Sequence, residues 1–534
     1  MSPAGHAPTV LGVAGAGTMG AGIAQLGCVA GMRTLLYDPV PEALQRGVQR
    51  ITRQLDREVE RARMSPEDAA RAKESLHAAP ALSDLADCEL VIEAAPERTE
   101  LKRDLFARLS EIVSEQCVLA SNTSSLLVTA LATAATRPER VVGMHFFNPP
   151  PLMALLEVVA GAESSPAAVA VARACGEAMG KRVIEAIDGP GFLVNRCNRP
   201  WGLEALKLLS EQVAPVEQID RVCRLGGGFR MGPFELMDLV GVDVGLEISR
   251  SFYEQSFGEP RWQPSQIAVR TVAAGRHGRK TGHGYYEYPE SGSHRPPDPD
   301  PPAAGGGNGA VVVAGDSPLA LELEEAAADA GWEVMDPAEA LDGPAPYLIL
   351  DLTGGEAPDA PLQGAPQAVC CAAGSLAALD PGGSAVGFHA LPPLRESALV
   401  ELTRGPDSAT SAAEAAERFF ATLGKHTEWV GDAPGLVLGR IVCQIVNEAA
   451  FALGEGVGSA QDIDTGMIHG LNYPRGILAW ADAIGLEHVL GVLDALHEER
   501  GEPRYRVAPV LRRLGWSGRL GQMTGEGFFT YEAP

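Results

Sequence analysis

Val10-Leu11-Gly12-Val13-Ala14-Gly15-Ala16-Gly17-Thr18-Met19-Gly20 is the stretch that decides the fold. A short apolar run enters a Gly-x-Gly-x-x-Gly turn, and a helix-forming segment leaves it. A second apolar run, residues 34–37, ends at Asp38. The glycines allow a tight turn and let the backbone approach a diphosphate seated on the helix N-terminus. A carboxylate at Asp38 can accept both ribose hydroxyls and would repel a 2′-phosphate, which favours NAD over NADP. Further apolar runs at 90–93 and 117–120 alternate with helical stretches, as in a doubly wound parallel sheet. Between the run ending at Asp38 and the one at 90–93, about residues 45–76 read as polar and helical.

The chain has 534 residues, enough for three or four domains. Its net charge of −26 is the wrong sign for tracking DNA or RNA, so no nucleic-acid partner is expected. No apolar stretch approaches about 18 residues, the length needed to cross a bilayer, and none reads as a membrane anchor. Met1 to Pro8 lack a basic signal-peptide region, so the expected location is cytoplasmic. The nine cysteines include no CxxC pair, and neither a metal site nor a disulfide framework is expected.

After about residue 188 helical periodicity takes over, and residues 289–309 (PESGSHRPPDPDPPAAGGGNG) read as a linker with little to bury. The second half then repeats the first at an offset of 244 residues. His145 and Glu157 recur as His389 and Glu401; Asp188, Pro190, Gly191 and Arg196 recur as Asp432, Pro434, Gly435 and Arg440. A constant offset over about a hundred residues means internal duplication. The division is 1–187, an NAD-binding Rossmann-type domain; 188–288, a helical domain; 289–309, the linker; 310–431, a degenerate Rossmann-like domain; and 432–534, a second helical domain. The fold class is α/β plus all-α.

The copies are not equivalent. The second replaces the glycine loop with Gly315-Asp316-Ser317-Pro318, which places a negative charge where phosphates would sit. It also lacks the segment carrying Arg46, Arg50, Arg53, Arg57 and Arg61, whose spacing lines one helical face. A solvated face is the plain reading of that row, and contact with an anionic cofactor tail is the alternative. His145 follows an apolar strand and Glu157 ends another; an imidazole can take a proton near neutral pH, and a buried carboxylate can set its tautomer. On that spacing alone a structural histidine is the default reading.

Ser121-Asn122-Thr123-Ser124-Ser125, His145-Phe146-Phe147-Asn148-Pro149, Glu157-Val158-Val159, Pro190-Gly191-Phe192-Leu193-Val194-Asn195-Arg196 and Lys280-Thr281-Gly282, with the glycine loop, resemble the NAD-dependent L-3-hydroxyacyl-CoA dehydrogenase family. The match runs over residues 9–288. The tandem plan resembles the long bacterial members of the 3-hydroxybutyryl-CoA or 3-hydroxyadipyl-CoA type. The resemblance implies His145 as general base, Glu157 as its partner, and Ser124 and Asn195 as hydrogen-bond donors to the substrate oxygen. It implies NAD contacts at Gly15, Gly17, Thr18, Met19, Gly20, Asp38, Glu97, Lys102 and Asn122. Substrate contacts are expected at Ser124, Asn148 and Asn195, and CoA contacts on the arginine helix at Arg50, Arg53 and Arg57. No metal is implied.

The implied activity is reversible oxidation of an L-3-hydroxyacyl-CoA of short or dicarboxylic chain, in fatty-acid or aromatic-acid catabolism. Competing readings are an NAD-binding protein without turnover, and a dehydrogenase of a free hydroxy acid on the same fold. One active site per chain is expected, because Gly439 and Gly374 stand where the first copy has Asn195 and Ser124. Short family members resemble homodimers joined through their helical domains. Here those domains are tethered, so an intrachain pseudo-dimer is expected, and a further homo-oligomer stays open. Arg230 replaces a proline retained at Pro474, and is a candidate clamp for a far carboxylate.

Overall fold

The computed structural model describes residues 5–338, 340, 344–355 and 364–532. The chain divides into two compact units, residues 1–196 with 456–471, and residues 197–455 with 472–534.

The first unit is built on an eight-stranded sheet. Its strands are β1 (Val10–Ala14), β2 (Arg33–Tyr37), β3 (Leu76–Ala79), β4 (Leu90–Glu93), β5 (Val118–Ser121), β6 (Val141–Phe146), β7 (Leu155–Ala160) and β8 (Arg182–Ile187). They lie in the order β3-β2-β1-β4-β5-β6-β7-β8, parallel except for the β6–β7 pair. The central strands β1, β4, β5 and β6 are buried along almost their whole length because helices cover both faces, and they are apolar except for Glu93, Ser121 and His145 near their C-terminal ends. Leu11, Val13, Leu90, Ile92, Val142 and Met144 form the core with Ile23 and Ala24 of α1 (Thr18–Val29).

The polar stretch after Asp38 is a helical hairpin, α2 (Pro41–Glu60) and α3 (Pro66–Glu74). Ser65 caps α3 by accepting from the Asp68 amide, and prolines start both helices. Leu44, Gly47, Ile51 and Leu55 are the buried face of α2. Arg61 falls one residue past its end, so the arginine row is four residues of helix and one of turn. Strand β3, which returns the chain to the sheet edge, has no apolar run to announce it: His77 and Ala78 are exposed.

The second unit holds a seven-stranded sheet, β10-β9-β11-β12-β13-β14-β15, again with one antiparallel pair, β13–β14. These strands are β9 (Ala310–Ala314), β10 (Glu333–Met335), β11 (Leu348–Asp351), β12 (Gln367–Cys370), β13 (Val386–His389), β14 (Leu399–Arg404) and β15 (His426–Trp429). Among the described residues this sheet has no counterpart of β3, and the sequence between β10 and β11 is much shorter than the hairpin segment of the first copy. Both sets of C-terminal helices also belong largely to this unit. Helix Leu438–Gly454 packs along helix Arg199–Ser210, and the contact is reciprocal across the copies. Arg261 of the first pairs with Glu448 of the second at 2.7 Å, and Arg504 of the second faces Glu204 of the first at 3.3 Å. The pairing runs both ways, the arginine of each copy meeting a glutamate of the other.

A second feature was not foreseen. Helix Ala460–Leu471 packs on β7 and β8 of the first unit, where the Ile187 amide donates to the Val457 carbonyl at 2.9 Å. Gly466 and Gly470 permit that approach; a Cβ at either would lie 2.6 Å from Val194 or Leu155. Its first-copy equivalent, Val216–Leu225, packs on β14, with Arg221 3.0 Å from Glu428. Each sheet is thus covered at that edge by the other copy's helix.

The segment 289–309 makes ion pairs that its composition did not announce. Arg295 and His294 both reach Glu235, and Asp298 pairs with Arg224 at 2.7 Å. It is strapped to the helical domain rather than free. Among the described residues no helix is long and apolar enough to cross a membrane, and no His/Cys/Asp/Glu group could hold a metal.

Candidate active site

All four residues expected at the chemistry lie in the first unit. Strands β6 and β7 pair antiparallel with His145 directly opposite Glu157. That register brings His145 Nδ1 within 2.6 Å of Glu157 Oε2, with the histidine 6% exposed and the carboxylate fully buried. His145 therefore lies within its strand, not after it. Only a carboxylate faces Nδ1, so Nδ1 must carry the hydrogen and Nε2 the lone pair. The other carboxylate oxygen, Oε1, accepts from the amides of Leu193 (3.2 Å) and Val194 (3.0 Å). Those amides are freed by a sharp turn in which Gly191 and Phe192 have φ of 70° and 53°. Phe147 and Phe192 pack beside the imidazole at 4.7 and 5.7 Å between ring centres.

Asn195 is half-buried on the short helix Val194–Cys197, immediately after the two amides that hold Glu157. Ser124 is exposed on the loop after β5, and Asn148 is exposed after β6. Asn122 turns inward, its Oδ1 accepting from the Phe146 amide at 2.9 Å.

Glu97 and Lys102 organise the Ser124 loop. Glu97 Oε1 accepts from the Thr123 hydroxyl (2.5 Å), the Ser124 and Ser125 amides and the Ser125 hydroxyl (2.9 Å). Lys102 is buried, with its ammonium 2.8 Å from Glu93 and 3.0 Å from Glu97. Burial would raise the Glu97 carboxyl, but Lys102 and the Thr123 and Ser125 bonds outweigh it and hold it below the ordinary range. Glu93 also accepts from the Ser121 hydroxyl at 2.6 Å. Sequence reading passed over Glu93, although a charge closing an apolar strand is itself a signal.

The glycine loop fits a dinucleotide. Gly15 has φ of 118°, and a Cβ there would lie 2.5 Å from the Ala94 carbonyl. A Cβ at Gly20 would meet the Gly15 carbonyl at 1.8 Å, so α1 touches the turn only as glycine. Gly17 is the opposite case: it is the N-cap of α1, offers no side-chain cap, and its Cβ direction is open. Unsatisfied N–H groups therefore face open space at the positive end of the helix, where Thr18 and Met19 begin it. Asp38 braces the loop, accepting from the Ala16 amide at 2.8 Å and the Val40 amide at 3.0 Å.

Arg50, Arg53 and Arg57 are exposed on α2. They do not act alike: Arg53 bonds back to its own helix, whereas Arg50 Nη1 reaches Thr18 Oγ1 at 2.9 Å. Arg230 lies in the second unit, exposed before helix Pro233–Val240.

The second copy keeps the histidine and the glutamate but not their arrangement. Ser317 caps its first helix by accepting from the Ala320 amide, and Pro318 occupies the next position. Glu401 uses both oxygens on the amides of Val437 (2.7 Å) and Leu438 (3.1 Å), and burial pushes its carboxyl up to about 8. His389 turns instead to His488, Nε2 to Nε2 at 2.9 Å, and its Nδ1 has no partner. Burial, with His488 adding to it, holds the His389 imidazole well below its ordinary range. A Cβ on Gly439 would lie 2.1 Å from His389 Cε1, so that ring fills the space an asparagine would need. No spacing pattern points to His488.

Comparison with known proteins agrees with this geometry. The model for the 3-hydroxyacyl-CoA dehydrogenase NAD-binding domain matches residues 10–189, and that for the C-terminal domain matches both 191–288 and 435–531. A 3-hydroxyadipyl-CoA dehydrogenase of Escherichia coli K12 is 36% identical over 94% of this chain and 96% of its own length. A probable 3-hydroxybutyryl-CoA dehydrogenase of Deinococcus radiodurans is 40% identical over 52% of this chain and 99% of its own. The crystal structure of a 3-hydroxybutyryl-CoA dehydrogenase from E. coli K12 superposes with a TM-score of 0.79 at 35% identity, covering 96% of this chain and 99% of the other.

Proposed function

The chain belongs to the 3-hydroxyacyl-CoA dehydrogenase family, and from that premise we propose that its first half alone carries the reaction, on short-chain or dicarboxylic L-3-hydroxyacyl-CoA. Oxidation takes a hydride from C3 and a proton from its hydroxyl. Bound NAD supplies the hydride acceptor. His145 Nε2 takes the proton, because Nδ1–H is committed to Glu157. As the imidazolium forms, the Glu157 carboxylate 2.6 Å away compensates its charge in a site nearly closed to water. Ser124 and Asn195 donate to the substrate oxygen and orient C3. The observation that carries this reading is the buried His145–Glu157 pair, which the second copy has lost.

The glycine loop, Asp38 and Asn122 form the cofactor side, with Glu97 and Lys102 supporting the Ser124 loop. Arg53 and Arg57 offer exposed cations to the CoA phosphates, and Asn148 and Arg230 are held as substrate contacts. Reciprocal packing of the helical domains supports an intrachain pseudo-dimer, in which the second half holds the first half's partner surface permanently. A cytoplasmic location fits nine buried cysteines. Following NADH absorbance with acetoacetyl-CoA, 3-hydroxybutyryl-CoA, 3-hydroxyadipyl-CoA and the free acids tests the reading. NADH binding without turnover would overturn it in favour of a binding protein. Preference for a free acid would remove the CoA assignment.

A further inference from the structure

We propose that Arg50 is a clamp for the diphosphate of the dinucleotide, and so belongs to the cofactor site rather than to CoA. The proposal takes NAD at the glycine loop from the family assignment.

Three observations converge. The first is how closely α2 approaches the loop. Gly47 lies against Ala16, in the middle of the Gly15–Gly20 turn; a Cβ there would sit 2.9 Å from the Ala16 Cβ and 3.1 Å from its carbonyl oxygen. Only a glycine lets α2 settle this near. The second is the side chain one turn later. Arg50 Nη1 donates to Thr18 Oγ1 at 2.9 Å, and Thr18 is the first residue of α1, beside the uncapped Gly17. The third is what Arg50 does not do. The acidic residues Asp56 and Glu58 further along α2 pair with Lys73 and Arg63, and among the described residues no carboxylate pairs with Arg50. Its bond to a neutral hydroxyl uses one of five N–H donors, and a cation stays at the mouth of the turn.

A diphosphate carries charge that the helix N-terminus only partly compensates, since its macrodipole amounts to roughly half a unit charge. In a chain of net charge −26, an anionic cofactor also meets long-range repulsion that a local cation offsets. A guanidinium supplies both charge and paired donors that match phosphate oxygens. The second copy accords with this: the loop is capped by Ser317 and Pro318, and the hairpin that would carry the arginine is gone.

The test is NADH binding followed by fluorescence, without acyl-CoA, in wild type, Arg50→Met and Arg50→Lys. Arg61→Met removes an equal charge beyond the helix end and controls for net charge. Arg50→Met should weaken NADH binding about 5- to 30-fold, a charge-assisted bond discounted for solvent exposure. Arg50→Lys should recover part of that loss, and Arg61→Met should stay within about twofold. Raising salt should weaken wild-type binding more steeply than Arg50→Met. ADP should respond to the substitution as NADH does, while adenosine should not. An NADH affinity in Arg50→Met equal to that of Arg61→Met would overturn the proposal. So would a rise in KM for acetoacetyl-CoA with NADH binding unchanged, which returns Arg50 to CoA. Failure of the wild type to bind NADH at all would instead remove the cofactor assignment.

Discussion

Glu157→Gln should disable the enzyme by reversing the tautomer of His145, not by disturbing the fold. In the native site Oε1 accepts from two amides, Leu193 and Val194, and Oε2 accepts from His145 Nδ1. Glutamine has one oxygen and one NH2. The two amides require an acceptor, so the amide oxygen takes the Oε1 position and the NH2 is left facing Nδ1. Two N–H groups at 2.6 Å repel, so Nδ1 must give up its hydrogen and become the acceptor. The hydrogen then resides on Nε2, the atom that should take the substrate proton. Protonating the ring would restore the clash and place an unpaired cation in a buried site, which costs several kcal/mol. A base with the wrong tautomer loses about 10³–10⁴ in turnover. That falls in the upper part of the loss of about 10²–10⁴ expected of His145→Ala, where the base is absent. The assay is kcat for acetoacetyl-CoA reduction and 3-hydroxybutyryl-CoA oxidation, with NADH affinity and thermal unfolding measured alongside. NADH affinity and unfolding should stay near wild type, since both amides remain satisfied. If Glu157→Gln kept more than a tenth of wild-type kcat, the tautomer argument would fail.

His389→Ala, the same change in the second copy, should leave turnover within about twofold; a loss comparable to His145→Ala would restore a second active site. Arg440→Met removes a fully buried guanidinium that holds Glu204 at 2.6 Å, Glu211 at 2.7 Å and the Tyr505 hydroxyl at 2.7 Å. Leaving Glu204 buried with fewer partners should cost about 3–5 kcal/mol in urea unfolding, and a change under 1 kcal/mol would refute that estimate. Burial raises the Glu401 carboxyl from 4.5 to about 8. Its proton-linked stabilisation is therefore complete below pH 4.5 and lost as pH rises through 8. Urea unfolding of wild type between pH 5 and 8 should show this decline, and Glu401→Gln should flatten it; parallel profiles would contradict the assignment.

Much of this was legible in the residues because the signals are local. Gly15, Gly17, Gly20 and Asp38 lie within one strand-turn-helix-strand unit, whose conformation follows from steric freedom at glycine and from apolar patterning. The 244-residue repeat is likewise visible without coordinates. Strand β3 was not legible, since His77 and Ala78 are exposed at a sheet edge and carry no alternation. The arginine row reads as five equivalent residues, yet Arg61 lies beyond the helix and Arg50 alone reaches Thr18.

By itself the sequence determined most strands of the first sheet but not β3, together with the dinucleotide turn, the tandem plan and the candidate His–Glu pair. Tertiary structure decided whether that pair forms. His145 and Glu157 meet because β6 and β7 are antiparallel in one register, while His389 and Glu401 stand at the same register and do not bond. The difference lies in how Glu401 divides its oxygens between two amides and in His488, 99 residues further along. The exchange of helices Ala460–Leu471 and Val216–Leu225 between the sheets is of the same kind. Both copies have nearly the same apolar pattern, so local preference cannot say which sheet each helix covers. Only close packing of particular surfaces, at positions such as Gly466 where the first copy has Val222, separates the two arrangements.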